Sequence, residues 1–206
     1  MPAIRQPAVA GLFYPGEPEV LLRDVNKLLA AAHPQTLTPK VLIVPHAGYI
    51  YSGAIAASAY ASLGAVAARI RRVVLLGPAH RVAVRGLALP GAESFATPLG
   101  EIALDSDAAR AIAHLPQVVQ SVAAHAQEHS LEVQLPFLQA VLGEFKLLPL
   151  VVGMANAEEV AEVLELLWGG DETLIVISSD LSHYLPYDVA RSIDNATVQH
   201  VLRLEQ

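Results

Sequence analysis

The chain has 206 residues, is 53% hydrophobic and carries a formal net charge of −7. Its length fits one α/β domain over residues 1–206. The 13 lysines and arginines form no cluster, so we expect neither nucleic acid nor a membrane surface as a partner. No apolar run reaches the ~18 residues of a spanning helix, and the first residues lack the features of a secretory signal, which predicts a cytoplasmic protein. The absence of cysteine excludes thiolate catalysis and cysteine metal ligands within this sequence.

Helical and strand patterns alternate along the chain. The first half of the chain predicts a helix over 19–32, a linker over 34–39, a strand over 41–44, a helix from the N-cap Ser52 to about Leu63 and a strand starting at 73. Short strands with a hairpin are predicted within 85–104. The rest predicts helices over 105–114 and 128–142, a strand over 145–152, a helix over 157–168, a strand over 173–177 and a helix over 187–204. The strand runs are rich in Val and Ile and are bounded by Gly, Pro or Ser, which is typical of buried parallel strands. We therefore predict an α/β fold with a mostly parallel central sheet flanked by helices.

Three histidines, His46, His80 and His183, each come just after one of these apolar runs. Parallel sheets place their ligand crevice outside the carboxyl ends of the strands. Imidazoles delivered there from three strands can converge on one point, where they would suit either metal binding or proton transfer near neutral pH. The pattern predicts a shared metal or catalytic site, although any one strand-end histidine could instead cap a carbonyl.

Asp180 and three further histidines have simpler or additional interpretations. Asp180 lies three residues before His183, so its carboxylate can orient that imidazole, join it as a ligand, or simply cap a short turn. His33, His114 and His200 lack polar companions in the sequence, and we expect them to be surface or capping residues.

A second pattern, His-x-x-Glu-His, comprises His125, Glu128 and His129. In inverted zinc peptidases such residues share one helix face, and the glutamate activates water. The interpretation needs one helix through all five positions. The sequence from 121 to 127 shows no clear start for such a helix, so we treat the zinc peptidase as an alternative.

Five blocks, in this order, identify a family resemblance. They are Ala-Gly-Leu-Phe-Tyr-Pro at 10–15, Pro-His-Ala-Gly-Tyr-Ile-Tyr-Ser-Gly at 45–53, Gly-Pro-Ala-His at 77–80, Glu-His-Ser-Leu-Glu-Val-Gln-Leu-Pro-Phe at 128–137 and Ser-Ser-Asp-Leu-Ser-His at 178–183. Together they resemble the Memo family, from about residue 5 to residue 184.

The resemblance implies a fold similar to the class III extradiol dioxygenases, non-haem iron enzymes that cleave catechol rings. There two histidines and a carboxylate hold Fe(II) and leave positions open for substrate and O₂. By resemblance, His46 and His80 would bind iron, or alternatively copper. His183 matches the acid/base histidine, and Asp180 and His129 look like further members of the pocket. Prokaryotic relatives are named as part of a three-part system with a radical-SAM protein, which implies such a partner.

The family's third metal ligand is a cysteine in a later Cys-Gly block, and this sequence has no cysteine. We therefore expect either a chain that lacks the family's C-terminal segment or a metal site that is completed otherwise. Asp180, His183, water or a partner chain could complete it.

The leading hypothesis is a metal-binding oxidoreductase or dioxygenase that acts on a small molecule, with metal at His46, His80 and His183. Its proton-transfer residues would be His183, Asp180 and His129. A second hypothesis is a non-catalytic module that recognises an acidic or phosphorylated peptide in the same cleft, at the helix N-terminus near 49–53. The third is the zinc peptidase.

Overall fold

A computed structural model describes residues 3–33 and 37–203. The predicted linker begins at residues 34–36, and the last predicted helix ends at Leu204; these four residues lie outside the described ranges. The strands are β1 (Ile4–Arg5), β2 (Val41–Val44), β3 (Arg72–Pro78), β4 (Leu87–Leu89), β5 (Ser94–Thr97), β6 (Gly100–Ala103), β7 (Val118–Gln120), β8 (Lys146–Val152) and β9 (Thr173–Ser178). The α-helices are α1 (Pro18–Ala31), α2 (Tyr49–Ala61), α3 (Ser106–Ile112), α4 (Val122–Ala126), α5 (Leu135–Leu142), α6 (Ala157–Leu167) and α7 (Tyr187–Arg203).

The central sheet has six strands in the order β2-β9-β3-β8-β4-β7. Each neighbouring pair is parallel except β4 and β8, which are antiparallel. This confirms the predicted α/β fold with a mostly parallel sheet. Because β2, β9 and β3 are adjacent and parallel, their carboxyl ends meet at one edge of the sheet.

Helices cover both faces of the central sheet, and the side chains of β3 show why. Val73 and Leu75 join the apolar cluster beneath α1, α2 and α5, whereas Val74 and Leu76 join the cluster beneath α3 and α6. Successive side chains of a strand point to opposite faces, so a continuous apolar run is needed when both faces are covered. Burying each such side chain contributes roughly 1.5–3 kcal/mol. The interior strands therefore form a rigid base for the residues that follow them.

The region 85–104 is split between two sheets. β4 extends the central sheet, whereas β5 and β6 form an antiparallel hairpin that pairs with β1 in a separate three-stranded sheet. The predicted hairpin is confirmed, but β7 was not predicted. It is three residues long and lies at the sheet edge, so its apolar pattern is too short to recognise.

Three expectations about the helices are wrong. Helix α2 begins earlier than predicted, at Tyr49, so Gly48 rather than Ser52 is the N-cap. A short helix, α4, does start in the 121–127 segment, where the Ser121 side chain accepts a hydrogen bond from Ala124 N. The helix predicted over 128–142 is a 3-10 turn over Glu132–Gln134 followed by α5. Proline near the start of α5 lacks an N–H to continue a preceding turn, so the helix restarts there.

Helix α7 has no buried residue, in contrast to the other long helices. It is tied to the segment after β9 by Asp194, which accepts hydrogen bonds from the backbone and hydroxyl of Ser182 at 3.0 and 3.1 Å. Within the described ranges, each helix is too short or too polar to cross a bilayer.

Candidate metal centre

The three strand-end histidines converge at the carboxyl edge of the sheet. His46 follows β2, His80 follows β3 and His183 lies in the loop after β9. The ring centroids of His46 and His80 are 5.2 Å apart, and those of His80 and His183 are 6.3 Å apart. One nitrogen from each of the three rings lies within 4.8 Å of the others. The structure thus brings together the three residues that were predicted as metal ligands; metal binding itself stays a prediction.

Hydrogen bonds at Nδ1 orient two of these rings. His80 Nδ1 lies 2.9 Å from Glu128 Oε1, and His183 Nδ1 lies 2.9 Å from the carbonyl oxygen of Leu181. A carbonyl and an ionised carboxylate only accept hydrogen bonds, so both Nδ1 atoms carry the hydrogen. In a neutral ring, Nε2 then keeps its lone pair. This arrangement of a ligand imidazole and an outer acceptor is typical of metal sites.

His46 is the most deeply buried of the three, with 1% of its surface exposed. Burial lowers the pKa of its imidazole to about 4; the Asp180 carboxylate opposes this shift, and His80 and His129 reinforce it. The ring is therefore neutral at physiological pH. Among the described residues, its Nε2 has no hydrogen-bond partner. The imidazoles of His46, His80 and His183 together form a donor set that suits iron, copper, zinc or nickel.

Asp180 contacts His46 rather than capping its own turn. Its Oδ1 accepts a hydrogen bond from the His46 backbone at 2.6 Å, and its Oδ2 lies 3.8 Å from His46 Nε2. The capping interpretation is wrong, because the amide of Ser182, which such a cap would bind, donates to Asp194 Oδ1 at 3.0 Å instead. Asp180 keeps 22% of its side chain exposed. Its carboxylate therefore borders the imidazoles and remains accessible from solvent.

Glu128 holds the loop that carries His80. Its Oε2 accepts from the His80 backbone at 2.6 Å, and its Oε1 accepts from the amides of His129 and Ser130 at 2.9 Å each. Burial raises the pKa of this carboxyl. Hydrogen bonds from the His80 side chain, the Ser130 amide and the His80 amide outweigh burial, so the pKa is lowered overall. Glu128 is thus an ionised acceptor that fixes both the backbone and the ring of His80.

His129 forms the inner wall of the site. Its ring stacks on His80 with centroids 4.6 Å apart, and it contacts His46 edge to face at 5.6 Å. Burial lowers the pKa of His129, partly offset by the Glu128 carboxylate. Its Nδ1 has no hydrogen-bond partner among the described residues. Phe13 packs against the same ring at 4.7 Å, which makes this side of the site apolar and aromatic.

The loop that carries His183 is backbone-strained at two positions. Leu181 and Tyr184 adopt φ values of 61° and 56°, which residues with a side chain rarely occupy. Such conformations cost roughly 1–3 kcal/mol each and persist only where other contacts fix them. The two hydrogen bonds from Ser182 to Asp194 lie between the strained positions. Asp194 therefore helps to hold His183 beside the other imidazoles.

The zinc peptidase geometry is absent from the described residues. Helix α4 ends at Ala126, so His125 and His129 do not share a helix face. The His125 ring is buried and its Nε2 donates to the carbonyl of Ala88 at 2.8 Å. Glu128 is held by backbone amides and by His80. Among the described residues, Glu128 and His129 form a group of possible metal ligands with His80, and His125 belongs to no such group. The predicted alternative is wrong because the chain turns between the two histidines.

The peptide-binding alternative uses the imidazoles together with the helix N-terminus near 49–53. The amide of Tyr49 donates to the carbonyl of Phe13 at 2.8 Å. The hydroxyl of Ser52 donates to the Ala47 carbonyl at 2.9 Å. Both groups are already used within the fold, so neither offers a hydrogen to an acidic ligand.

His33, His114 and His200 are exposed, as expected.

Several residues of the site had no role assigned from the sequence. Glu132, Gln134 and Ser178 lie within the recognised blocks, yet nothing local in the sequence shows what they contact. Glu132 binds the segment 5–14, and Ser178 and Gln134 contact each other beneath His46. The one available signal was a polar residue at a position where an apolar residue would be expected in a buried element.

Comparison with known proteins shows the family of this chain. A family model described as Memo-like protein matches residues 5–206. A "MEMO1 family protein" of Aquifex aeolicus is 38% identical over 205 residues, which cover 98% of this chain and 75% of that protein. Proteins with the same description from Sulfolobus acidocaldarius and Archaeoglobus fulgidus are 35% and 34% identical, again over 98% of this chain and over 78% and 76% of their own lengths. On this similarity and on the strand-end histidines that it spans, the chain belongs to the Memo family.

Proposed function

We propose that the protein binds a redox-active transition metal, Fe(II) first and copper as the alternative, through His46, His80 and His183. The observation that carries the proposal is the convergence of the three imidazoles, one nitrogen of each lying within 4.8 Å of the others. In addition, the buried Nε2 of His46 has no hydrogen-bond partner among the described residues. A buried polar atom without a partner is costly in a folded protein. A metal ion would satisfy it.

The surrounding residues support this use of the three rings. Glu128 and the Leu181 carbonyl already occupy Nδ1 of His80 and His183. Ligand imidazoles in metal sites are commonly oriented in this way, and the outer acceptor makes the ring a better donor. The side chains of His46 and His80 differ in exposure, at 1% and 29%. The site is therefore closed behind His46 and open to solvent beside His80.

We further propose that the open side receives a small aromatic substrate of the catechol class. When bound, the metal would supply open positions for substrate and O₂ and would let electrons pass from the substrate to O₂. Phe13, packed at 4.7 Å on His129, offers an apolar wall for a ring. The partly exposed carboxylate of Asp180 would accept a hydroxyl proton from such a substrate. His129, whose buried Nδ1 lies 3.4 Å from Glu128 Oε1, would help to transfer that proton.

Anaerobic Fe(II) titration of metal-stripped protein tests the metal site. We expect about one equivalent to bind the wild type and binding to be lost in His46→Ala and His80→Ala. His114→Ala, which removes an exposed histidine on another part of the surface, is the matched control and should bind like the wild type. Full binding by a His46→Ala, His80→Ala double variant would refute the proposal.

The His183→Ala variant separates the two roles proposed for that residue. If His183 is a ligand, Fe(II) affinity falls together with that of the other two variants. If it transfers protons instead, the variant keeps its metal but loses oxygen consumption with catechol-like compounds. Wild-type protein that is fully loaded with metal yet consumes no oxygen with any of these compounds would restrict the function to metal binding.

A further inference from the structure

A chain of buried hydrogen bonds lies beneath His46. The direction of each hydrogen bond follows from the orientation of the Gln134 amide. The amide nitrogen of Gln134 is 2.9 Å from the carbonyl oxygen of Pro45, and its Oε1 is 2.8 Å from the hydroxyl of Tyr60. A carbonyl oxygen only accepts, so the side facing Pro45 must be the NH₂ group. The same NH₂ group lies 2.8 Å from Ser178 Oγ. Ser178 must therefore accept a hydrogen bond from Gln134.

The single hydroxyl hydrogen of Ser178 is donated to another partner. Ser178 Oγ lies 2.7 Å from the carbonyl oxygen of Ser130, which again can only accept. With its hydrogen donated there and one lone pair taken by Gln134, the hydroxyl has only a lone pair left for His46 Nδ1, at 2.9 Å. His46 Nδ1 must then be the donor. In the neutral ring, the lone pair falls on Nε2, the buried nitrogen that has no hydrogen-bond partner among the described residues.

We propose that Ser178 and Gln134 are positioning residues that lock His46 in the Nδ1–H tautomer and so reserve its Nε2 for a metal ion. The part of this inference that concerns metal rests on the proposed function, whereas the tautomer does not. His80 and His183 obtain the same tautomer from acceptors that cannot donate, a carboxylate and a carbonyl. At His46 the acceptor is a hydroxyl, which could act either way if Gln134 and Ser130 did not fix its direction.

The opposite tautomer of His46, with the hydrogen on Nε2, would be favoured by Asp180. Loss of the Ser178 hydrogen bond therefore has a measurable consequence. Asp180 Oδ2 lies 3.8 Å from His46 Nε2, and a hydrogen on Nε2 would be drawn to this carboxylate. Removing the Ser178 acceptor leaves Asp180 as the group that selects the tautomer. We therefore expect Ser178→Ala to move the His46 hydrogen from Nδ1 to Nε2, which places it on the nitrogen that a metal needs.

Long-range ¹H–¹⁵N spectra of metal-stripped protein near neutral pH report the tautomer of each histidine directly. The His46 signals are assigned by their loss in His46→Gln. We expect Nδ1–H in the wild type, a shift toward Nε2–H in Ser178→Ala, and return of Nδ1–H in Ser178→Thr, which keeps the hydroxyl. Ser94→Ala, another buried serine that lies in β5, is the matched control and should leave the His46 signals unchanged.

An Nε2–H tautomer in the wild type would overturn the inference, and this result needs no variant to fold. An unchanged tautomer in folded Ser178→Ala would overturn it as well. Fe(II) titration of the same samples tests the metal part: we expect affinity to fall about 10- to 100-fold in Ser178→Ala and to recover in Ser178→Thr. If the tautomer shifts as expected but the wild type binds no Fe(II), the lock stands and the proposed function fails.

Discussion

The replacement Glu132→Ala tests the buried ion pair that anchors the N-terminal segment to the site. Glu132 is fully buried, and its carboxylate accepts four hydrogen bonds from residues 5–14. Arg5 donates from its guanidinium, and the amides of Ala8 and Val9 donate at 2.8 and 3.0 Å. The hydroxyl of Tyr14 completes the set at 2.6 Å. Truncation at this position leaves all four donors without their acceptor.

The magnitude follows from the charge that would be left behind. Arg5 is itself only 8% exposed, and removing one partner of a buried ion pair typically costs about 3–5 kcal/mol. The other abandoned donors cost roughly 1–3 kcal/mol each if the segment does not relax into water. Because a whole domain is stable by only about 5–15 kcal/mol, we expect at least 3 kcal/mol of the unfolding free energy to be lost.

Urea unfolding measures this loss, and Glu144→Gln provides the control. Glu144 is an exposed carboxylate between α5 and β8, and its replacement should change stability by about 0.5 kcal/mol or less. Glu132→Gln keeps the shape of the side chain but not its charge, so it should fall between the control and Glu132→Ala. A loss below about 1 kcal/mol in Glu132→Ala would refute this account of how the ion pair anchors the segment.

Three further predictions concern pH and the supports of the metal site. Burial lowers the pKa of both His46 and His125 to about 4, so between about pH 6.5 and 4 these two residues bind protons in the unfolded chain but not in the folded one. The unfolding free energy of metal-free protein should therefore fall as pH drops over this range. An unfolding free energy from urea titrations that stays constant over the range would contradict this. Glu128→Gln weakens the acceptor behind a ligand ring, and we expect Fe(II) titration to show about 10- to 100-fold lower affinity; wild-type affinity would show that the carboxylate is dispensable. Asp194→Ala releases the strained loop, and Fe(II) affinity should fall by about tenfold because His183 is no longer held in place; affinity equal to that of the wild type would argue that the loop is fixed by other contacts.

The convergence of the histidines was predictable because it depends on one general property of parallel sheets. An apolar run followed by a histidine, repeated three times, needs only adjacent parallel strands to bring the rings together. The order β2-β9-β3 provides this adjacency. What the pattern could not give is the strand order itself, which is set by contacts between residues more than a hundred positions apart, such as Val41 with Ile175.

The supports of the site were not predictable from local sequence for a related reason. Glu128 contacts His80 across 48 positions, and Gln134 contacts Pro45 across 89 positions. A polar residue in a recognised block reveals neither its partner nor the direction of its hydrogen bonds. The same cause explains the wrong N-cap of α2. Ser52 suits a cap by residue type, but the carbonyl of Phe13 accepts from Tyr49 and the helix begins one turn earlier.

The most direct test of the metal site is anomalous diffraction at the iron edge from a crystal soaked anaerobically in Fe(II). The account predicts one strong peak within coordinating distance of Nε2 of His46, His80 and His183, with Nδ1 of each ring still directed at Ser178, Glu128 and the Leu181 carbonyl. A peak at another position, or coordination through Nδ1 of these rings, would contradict the account. So would a well-ordered site that binds no iron at saturating Fe(II).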